Sequence, residues 1–243
     1  MDNRHSELVF AISKVSEGNM SYRWGDKAEV RQSRERFCNK MGITIDDVSS
    51  VSLEHGSKIV RIDEGNAGLG MDQENASHFE ADGLITLSSG IGLMLVVADC
   101  IPAVFYEPKN HLLVLVHAGR MGVELNIAKQ AIIEMKKLGN IDIEDIMVLA
   151  GPAISAKSYV FDSPQGVDMD FWADDFVIGD DGKYHMDIKS KFESQLLAAG
   201  VATQNIDISP IDTYTNTNYF SHRRSTAINE KEGRFAALAY IKP

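Results

Sequence analysis

Three residues stand at the ends of apolar runs, where a side chain can leave a sheet and meet a ligand: His55 in LEHG, Cys100 in VVADC, and His117 in LVLVH, the last followed by Ala118-Gly119. Strand ends that face loops are where α/β proteins place ligands. Thiolate and imidazole are the donors zinc prefers, so a converging His/Cys/His set can hold a transition metal and leave a fourth position to water. Cys100 can instead serve as a thiolate nucleophile with His117 as its base. The spacing matches no short zinc-finger pattern, and a histidine at a strand end is often only a hydrogen-bonded structural residue, so spacing leaves these readings open. Asp99, beside Cys100, can orient a ring, accept a proton or cap the next turn.

A second chemical feature is NYFSHRRS, residues 218–225. Arg223 or Arg224 can present a planar donor fork to a phosphate or carboxylate, and Tyr219 or Phe220 can stack on a base. Of the other histidines, His5, His111 and His185 lie in polar or turn surroundings, while His78 falls on a long loop. Cys38, inside a charged helical run, reads as a small buried hydrophobe. The acidic run DMDFWADDFVIGDDG reads as a solvated surface loop without calcium-loop spacing.

The elements that must position these groups follow from periodicity. LVFAISKV has the content of a first strand, and GNMSYRWGD after it is turn-rich. From Lys27 to Met41 apolar residues recur at helical spacing until Gly42 stops them. SSVSLEH and SKIVRID read as short strands around His55-Gly56, and GNAGLGMDQENASHFE as a lid or binding loop. Between residues 82 and 116, GLITLSS, IGLMLVVADC and HLLVLVHAG are apolar on both faces, as central strands of a covered sheet are. A helix is expected over 123–138, closed by Gly139-Asn140, and packed on that sheet. IEDIMVLAGPAI, NIDISPIDTYT and RFAALAYIK supply further strands, and SKFESQLLAAGV a further helix. The economical architecture is one α/β domain over residues 1–243.

Composition bounds the function. With 24 Lys and Arg against 35 Asp and Glu, the net charge of −11 gives no positive footprint for displacing counterions, which argues against a nucleic-acid partner. Small anions remain accessible to local clusters. No run reaches the roughly 18 apolar residues of a membrane span, and the N-terminus MDNRHSELVF lacks signal-peptide regions. Two cysteines are too few for a stapled secreted scaffold. A cytoplasmic protein is expected, and a monomer, since no heptad or apolar stripe calls for a partner.

The ordered series GNMSYRWGD, EHGSKIV, EADGLIT, VVADCIPAVFYEP, VHAGRMG, GPAI…SYVF, DTYTNTNYFSHRRS and EGRFAALAYI resembles the YfiH family, also called the multicopper polyphenol oxidase (laccase-domain) or purine nucleoside phosphorylase family, over nearly the whole chain. The resemblance implies a single-domain layered α/β sandwich with mixed central sheets. It also implies a metal pocket with His55, Cys100 and His117 as ligands, and zinc as the metal, with copper as the alternative. Members of the family are described as copper-dependent polyphenol oxidases, as purine nucleoside enzymes, and as amidases that edit peptidoglycan precursors. The nucleoside enzymes phosphorolyse adenosine, inosine and methylthioadenosine and deaminate adenosine.

Multicopper chemistry needs several histidine-rich centres, and seven histidines with only two beside the cysteine disfavour it. The expectation is a zinc-dependent purine nucleoside enzyme in which Asp99 assists proton transfer or orientation and Arg223 and Arg120 bind the nucleoside and phosphate. A cysteine amidase and a non-catalytic binder are the competing readings. Where the family reads HAGWRG this chain has Arg120 and Met121 in the Trp and Arg places. Asp212-Thr213 stands for Cys-Thr, and Ser33-Arg34 for Asn-Arg.

Overall fold

The computed structural model describes residues 7–72 and 80–243, and within them the apolar runs become strands. The chain enters on β1 (Leu8–Ile12), passes through α1 (Lys27–Met41), and continues with β2 (Val48–Ser50), β3 (Ile59–Arg61), β4 (Gly83–Thr86), β5 (Gly92–Val97), β6 (Ile101–Glu107) and β7 (Leu112–Ala118). Then follow α2 (Arg120–Glu124), α3 (Ile127–Leu138), β8 (Met147–Ala150), β9 (Val160–Phe161), α4 (Met169–Trp172) and β10 (Phe176–Ile178). The last elements are β11 (Tyr184–Met186), α5 (Ile188–Ala198), β12 (Ile206–Ile208), α6 (His222–Ile228) and β13 (Phe235–Ile241).

Two mixed sheets lie face to face, in the orders β12-β8-β6-β7-β4-β3 and β1-β13-β5-β2, and a small sheet β10-β11-β9 packs through Phe176 and Met186 into the core on the outer side of the first. Alternation along the strands decides the layers. In β7, Leu113 and Leu115 join Val104 and Tyr106 of β6 against Leu93, Leu95 and Val97 of β5 and Phe235, Ala237 and Ala239 of β13. The opposite set, Val114, Val116, Phe105 and Ala103, packs on Ile127, Ala131 and Met135 of α3 and Phe192 and Leu196 of α5. The outer face of the second sheet, with Met94, Ala236 and Leu238, is covered by Phe37 and Cys38 of α1. Helix, sheet, sheet and helix therefore form the layered α/β sandwich expected. Among the described residues no helix is long and apolar enough to cross a membrane.

Three local readings need correction. The strand read in IGLMLVVADC ends at Val97: β5 and the β6 that follows it belong to different sheets, and the chain crosses between them in residues 98–100. The helix expected over 123–138 begins earlier and is broken into α2 and α3, with Asn126 left-handed at φ 56 and its side chain capping α3 through Lys129 N. The acidic run is not a loop: it forms α4 and β10, and within it Trp172 is fully buried, donating to the Glu124 carboxylate at 2.8 Å. Charged residues flank an apolar pair there, which is how a short amphipathic element hides in an acidic stretch. His78 and His5, and with them the middle of the long loop, lie outside the described residues.

Helix α1 starts where Asp26 accepts from the Ala28 and Glu29 amides and ends at Gly42, left-handed at φ 87, a conformation that favours glycine. Its Arg34 is internal. The guanidinium donates to the carbonyls of Met20, Gly70 and Met71 at 2.9, 2.9 and 3.2 Å and rests on the Tyr22 ring. Burial pulls its pKa down to about 10, so it remains a cation. Arg34→Met should keep the packing volume but orphan three carbonyls, and is expected to cost about 3 kcal/mol of unfolding free energy in a urea titration.

Candidate metal centre

The register of β6 on β7 brings the ligand residues together. Ile101 faces Ala118 and Pro102 faces His117, so Cys100, one residue before β6, comes up beside Gly119. His117 shares the side of β7 that Leu113 and Leu115 turn to the other sheet, and is buried at the end of the strand. On its other side β7 pairs with β4, Gly83 facing Val116, which sets Asp82 next to His117. His55 arrives on the loop between β2 and β3. Its backbone is left-handed at φ 62, unusual for a residue with a side chain. The His55 and Gly56 amides donate to the two oxygens of Asp82 at 2.9 and 2.6 Å and hold that turn in place.

The ligand atoms of His55, Cys100 and His117 all lie within 4.8 Å of one another, and the two imidazoles meet edge to face with centroids 5.0 Å apart. His117 Nδ1 is 2.9 Å from Asp82 Oδ1. A carboxylate there keeps the proton on Nδ1, so that a bound metal ion would take Nε2, the usual way a metal-binding histidine is oriented. Burial grades from His117 through Cys100 to the exposed His55, so the set opens to solvent on the His55 side.

The donor set fits a borderline-soft ion such as zinc or copper. Gly119 keeps the cradle open: a Cβ at that position would sit 2.9 Å from Cys100 Sγ and 3.5 Å from His117 Nε2. No other group of three or more His, Cys, Asp or Glu side chains in ligating range occurs among the described residues.

Electrostatics tie the centre together. Burial works to lower the His117 pKa, but its interactions with Cys100 and with the Asp82 carboxylate outweigh it and raise the imidazole to about 9. For Asp82, burial works to raise the pKa, and the hydrogen bonds from His117, Gly56 and His55 hold it below the usual carboxylate value. His55 is lowered, first by burial and then by the His117 charge. In chelator-treated protein, the His117 contribution to stability is fully present below about pH 6.5, declines as pH rises, and is gone above about 9. Asp82 contributes at neutral pH and loses its effect as the solution becomes strongly acidic. Urea midpoints of the metal-free protein should therefore fall between about pH 6 and pH 9.5.

The remaining expected residues divide. Asp99, left-handed at φ 75, has both oxygens engaged: Thr213 Oγ1 donates to one at 2.6 Å and the Arg223 amide to the other at 2.7 Å. Its carbonyl accepts from Ile154 N at 2.8 Å. It is a junction of three segments.

Arg223 donates to the Val160 carbonyl and lies over the rings of Tyr159 and Phe161 at 5.0 and 5.2 Å. Arg224, by contrast, is turned inward, spending its fork on Glu230 and on the carbonyls of Thr213, Tyr214 and Tyr219. Arg120, at the start of α2, is held by Glu124 at 3.1 Å and the Gly166 carbonyl at 2.9 Å.

Two residues were missed by sequence reasoning. Asp82 stands in EADGLIT, and its only signal was a lone acid leading into an apolar strand. Tyr159 lies close enough to Cys100, Arg223 and Arg120 to feel their charges, and burial foremost, with Cys100, pushes its phenol up to about 12. Its turn is fixed by Asp212, which accepts from Ser155 Oγ at 2.7 Å and Ser158 Oγ at 2.6 Å. A cavity of about 590 Å³ between α1 and residues 217–232 includes none of the three ligand residues in its lining.

Known proteins share this plan. The family model of the multi-copper polyphenol oxidoreductase laccases matches residues 8–242. A purine nucleoside phosphorylase of Mycobacterium tuberculosis is 27% identical over 218 residues, covering 89% of this chain and 81% of its own. An adenosine deaminase, RL5, from an unknown prokaryotic organism is 28% identical over 207 residues, 82% of this chain and 78% of its own. The crystal structure of YlmD from Geobacillus stearothermophilus superposes with a TM-score of 0.87 at 26% identity, covering 100% of this chain and 94% of that one.

Proposed function

The chain belongs to the multi-copper polyphenol oxidoreductase laccase family, and from that premise we propose that it is a zinc-dependent purine nucleoside enzyme. In this reading it cleaves adenosine, inosine and methylthioadenosine with phosphate and deaminates adenosine. The observation that carries the reading is the His55, Cys100 and His117 set, backed by Asp82 and open on one side. A single set of this kind suits one redox-inert ion better than the several linked centres of copper oxidase chemistry. The names of the phosphorylase and deaminase relatives point the same way.

His55, Cys100 and His117 would hold the ion. When bound, zinc supplies a Lewis acid and brings the pKa of a coordinated water near neutrality. Asp82 keeps His117 in the ligating tautomer. Tyr159, protonated throughout the physiological range, donates a hydrogen bond to the purine or the sugar beside the centre. Arg223, braced by Tyr159 and Phe161, offers the rest of its fork to the sugar side, and Arg120 closes the α2 side. Asp99 acts through its neighbours, fixing the Arg223 backbone.

In phosphorolysis a phosphate oxygen bonds the ribose carbon as the bond to the purine nitrogen breaks and the base takes a proton. In deamination water adds at C6 and ammonia leaves. Chromatography of a nucleoside panel, with and without phosphate and alongside metal content, tests the reading. Adenosine should give adenine only with phosphate, and inosine without it. Zinc-loaded protein that consumes no nucleoside would overturn the assignment.

A further inference from the structure

Trp24 carries two guanidiniums. Arg23 Cζ lies 5.1 Å and Arg234 Cζ 5.4 Å from the centre of the indole ring. Two like charges on one half-buried ring are an unfavourable arrangement that the ring's π face offsets only in part. Glu232 neutralises one of them, accepting from Arg234 while also holding His222 and Ser225. Arg23 is exposed and, among the described residues, has no ion pair and no hydrogen bond from its guanidinium. One positive charge is therefore left facing outward, in a protein whose net charge is −11.

The position of this pair is built into the fold. The Met20 amide donates to the Arg234 carbonyl at 3.0 Å, and the Arg234 amide to Asn19 Oδ1 at 2.9 Å, locking the 19–24 turn to the start of β13. The next residue, Phe235, pairs with Val97 of β5, three residues before Cys100. The pair therefore stands at the same end of the sandwich as the metal centre.

We propose that Arg23, Trp24 and Arg234 form an anion subsite at the metal-centre end of the sandwich, and that it receives the inorganic phosphate. The identity of the anion rests on the nucleoside reading above; the existence of the subsite does not. Arg23 is the free fork that closes on the oxygens, Trp24 the platform it rests on, and Arg234, paired with Glu232, the brace that fixes the ring. Arg223 and Arg120, already committed to the protein, are left to the nucleoside.

The test is calorimetric titration of inorganic phosphate into the zinc-loaded full chain without nucleoside. Arg23→Gln should weaken phosphate binding about tenfold or more, and Arg23→Lys about threefold, because it keeps the charge but loses the fork. Arg31→Gln, whose side chain pairs with Glu35, should stay within about twofold. In turnover, Arg23→Gln should raise the KM for phosphate by the same factor and leave the phosphate-independent deamination of adenosine unchanged. Unaltered phosphate affinity in Arg23→Gln, or no binding to the parent protein at about 10 mM, overturns the subsite. Phosphate binding that depends on Arg23 in a protein that consumes no nucleoside would keep the subsite and discard the nucleoside reading.

Discussion

Replacing Cys100 with alanine is expected to strip the chain of its metal and to lower nucleoside turnover by more than the roughly 100-fold that loss of an outer-shell partner costs. Cys100 is only half-buried and belongs to none of the apolar clusters, so the fold should survive, the thermal midpoint of the metal-free protein falling only by the support that Cys100 gives His117. The two imidazoles that remain cannot replace a thiolate donor. Elemental analysis should show metal near one per chain in the parent protein and near background in the variant.

The experiment also separates the thiol-nucleophile reading. Cys38 is buried, with its thiol pushed up to about 12 by burial, so an alkylating agent should report on Cys100 alone. A parent protein that holds no metal, is labelled at Cys100 and loses activity in proportion would replace the zinc centre with a Cys100 and His117 pair.

Asp82→Asn is the second large effect. The carboxylate is fully buried and accepts from His117 Nδ1, His55 N and Gly56 N. An amide of the same shape must turn its NH₂ toward one of these donors and leaves the buried imidazole without its counter-charge. Losing one partner of a buried charged pair costs about 3–5 kcal/mol, and weakening the orientation of a ligating histidine costs about 10- to 100-fold in metal affinity. The expected result is a lower urea midpoint together with weaker zinc in a chelator competition. A variant with wild-type zinc affinity would show that Asp82 serves the β4 and β7 junction and not the centre.

Why some of this could be read from the sequence and some could not comes down to distance along the chain. Alternation is local: in LVLVHA it places His117 on the same face as Leu113 and Leu115, and a strand-end ligand follows. Helix α1 was equally plain, from its apolar spacing over Lys27 to Met41 and its Gly42 stop. Asp82 was not, because its value comes from pairing with a strand whose His117 is thirty-five residues away. The two adjacent arginines show the other limit. On a helix one step turns a side chain by about 100°, enough to leave Arg223 beside Tyr159 and to send Arg224 into the protein. No periodicity in HRRS separates them. Trp24 and Arg234 come from opposite ends of the chain, and only the pairing around β13 brings them together.

The crossing at residues 98–100 bears on when the centre can exist at all. Of the three candidate ligands, Cys100 sits on a connector whose two strands lie in different sheets, His117 faces it across the β6–β7 hairpin, and His55 comes from the loop between β2 and β3. Cys100 and His117 can meet once that hairpin forms, but His55 joins them only when its loop has docked on Asp82 beside β4, and contacts of longer range form later. A metal ion held by all three would therefore find its full site only after that docking, unlike the ion of a small zinc finger. It can only latch an assembly already made, adding stability by mass action to the finished sandwich and slowing its unfolding more than it speeds its formation.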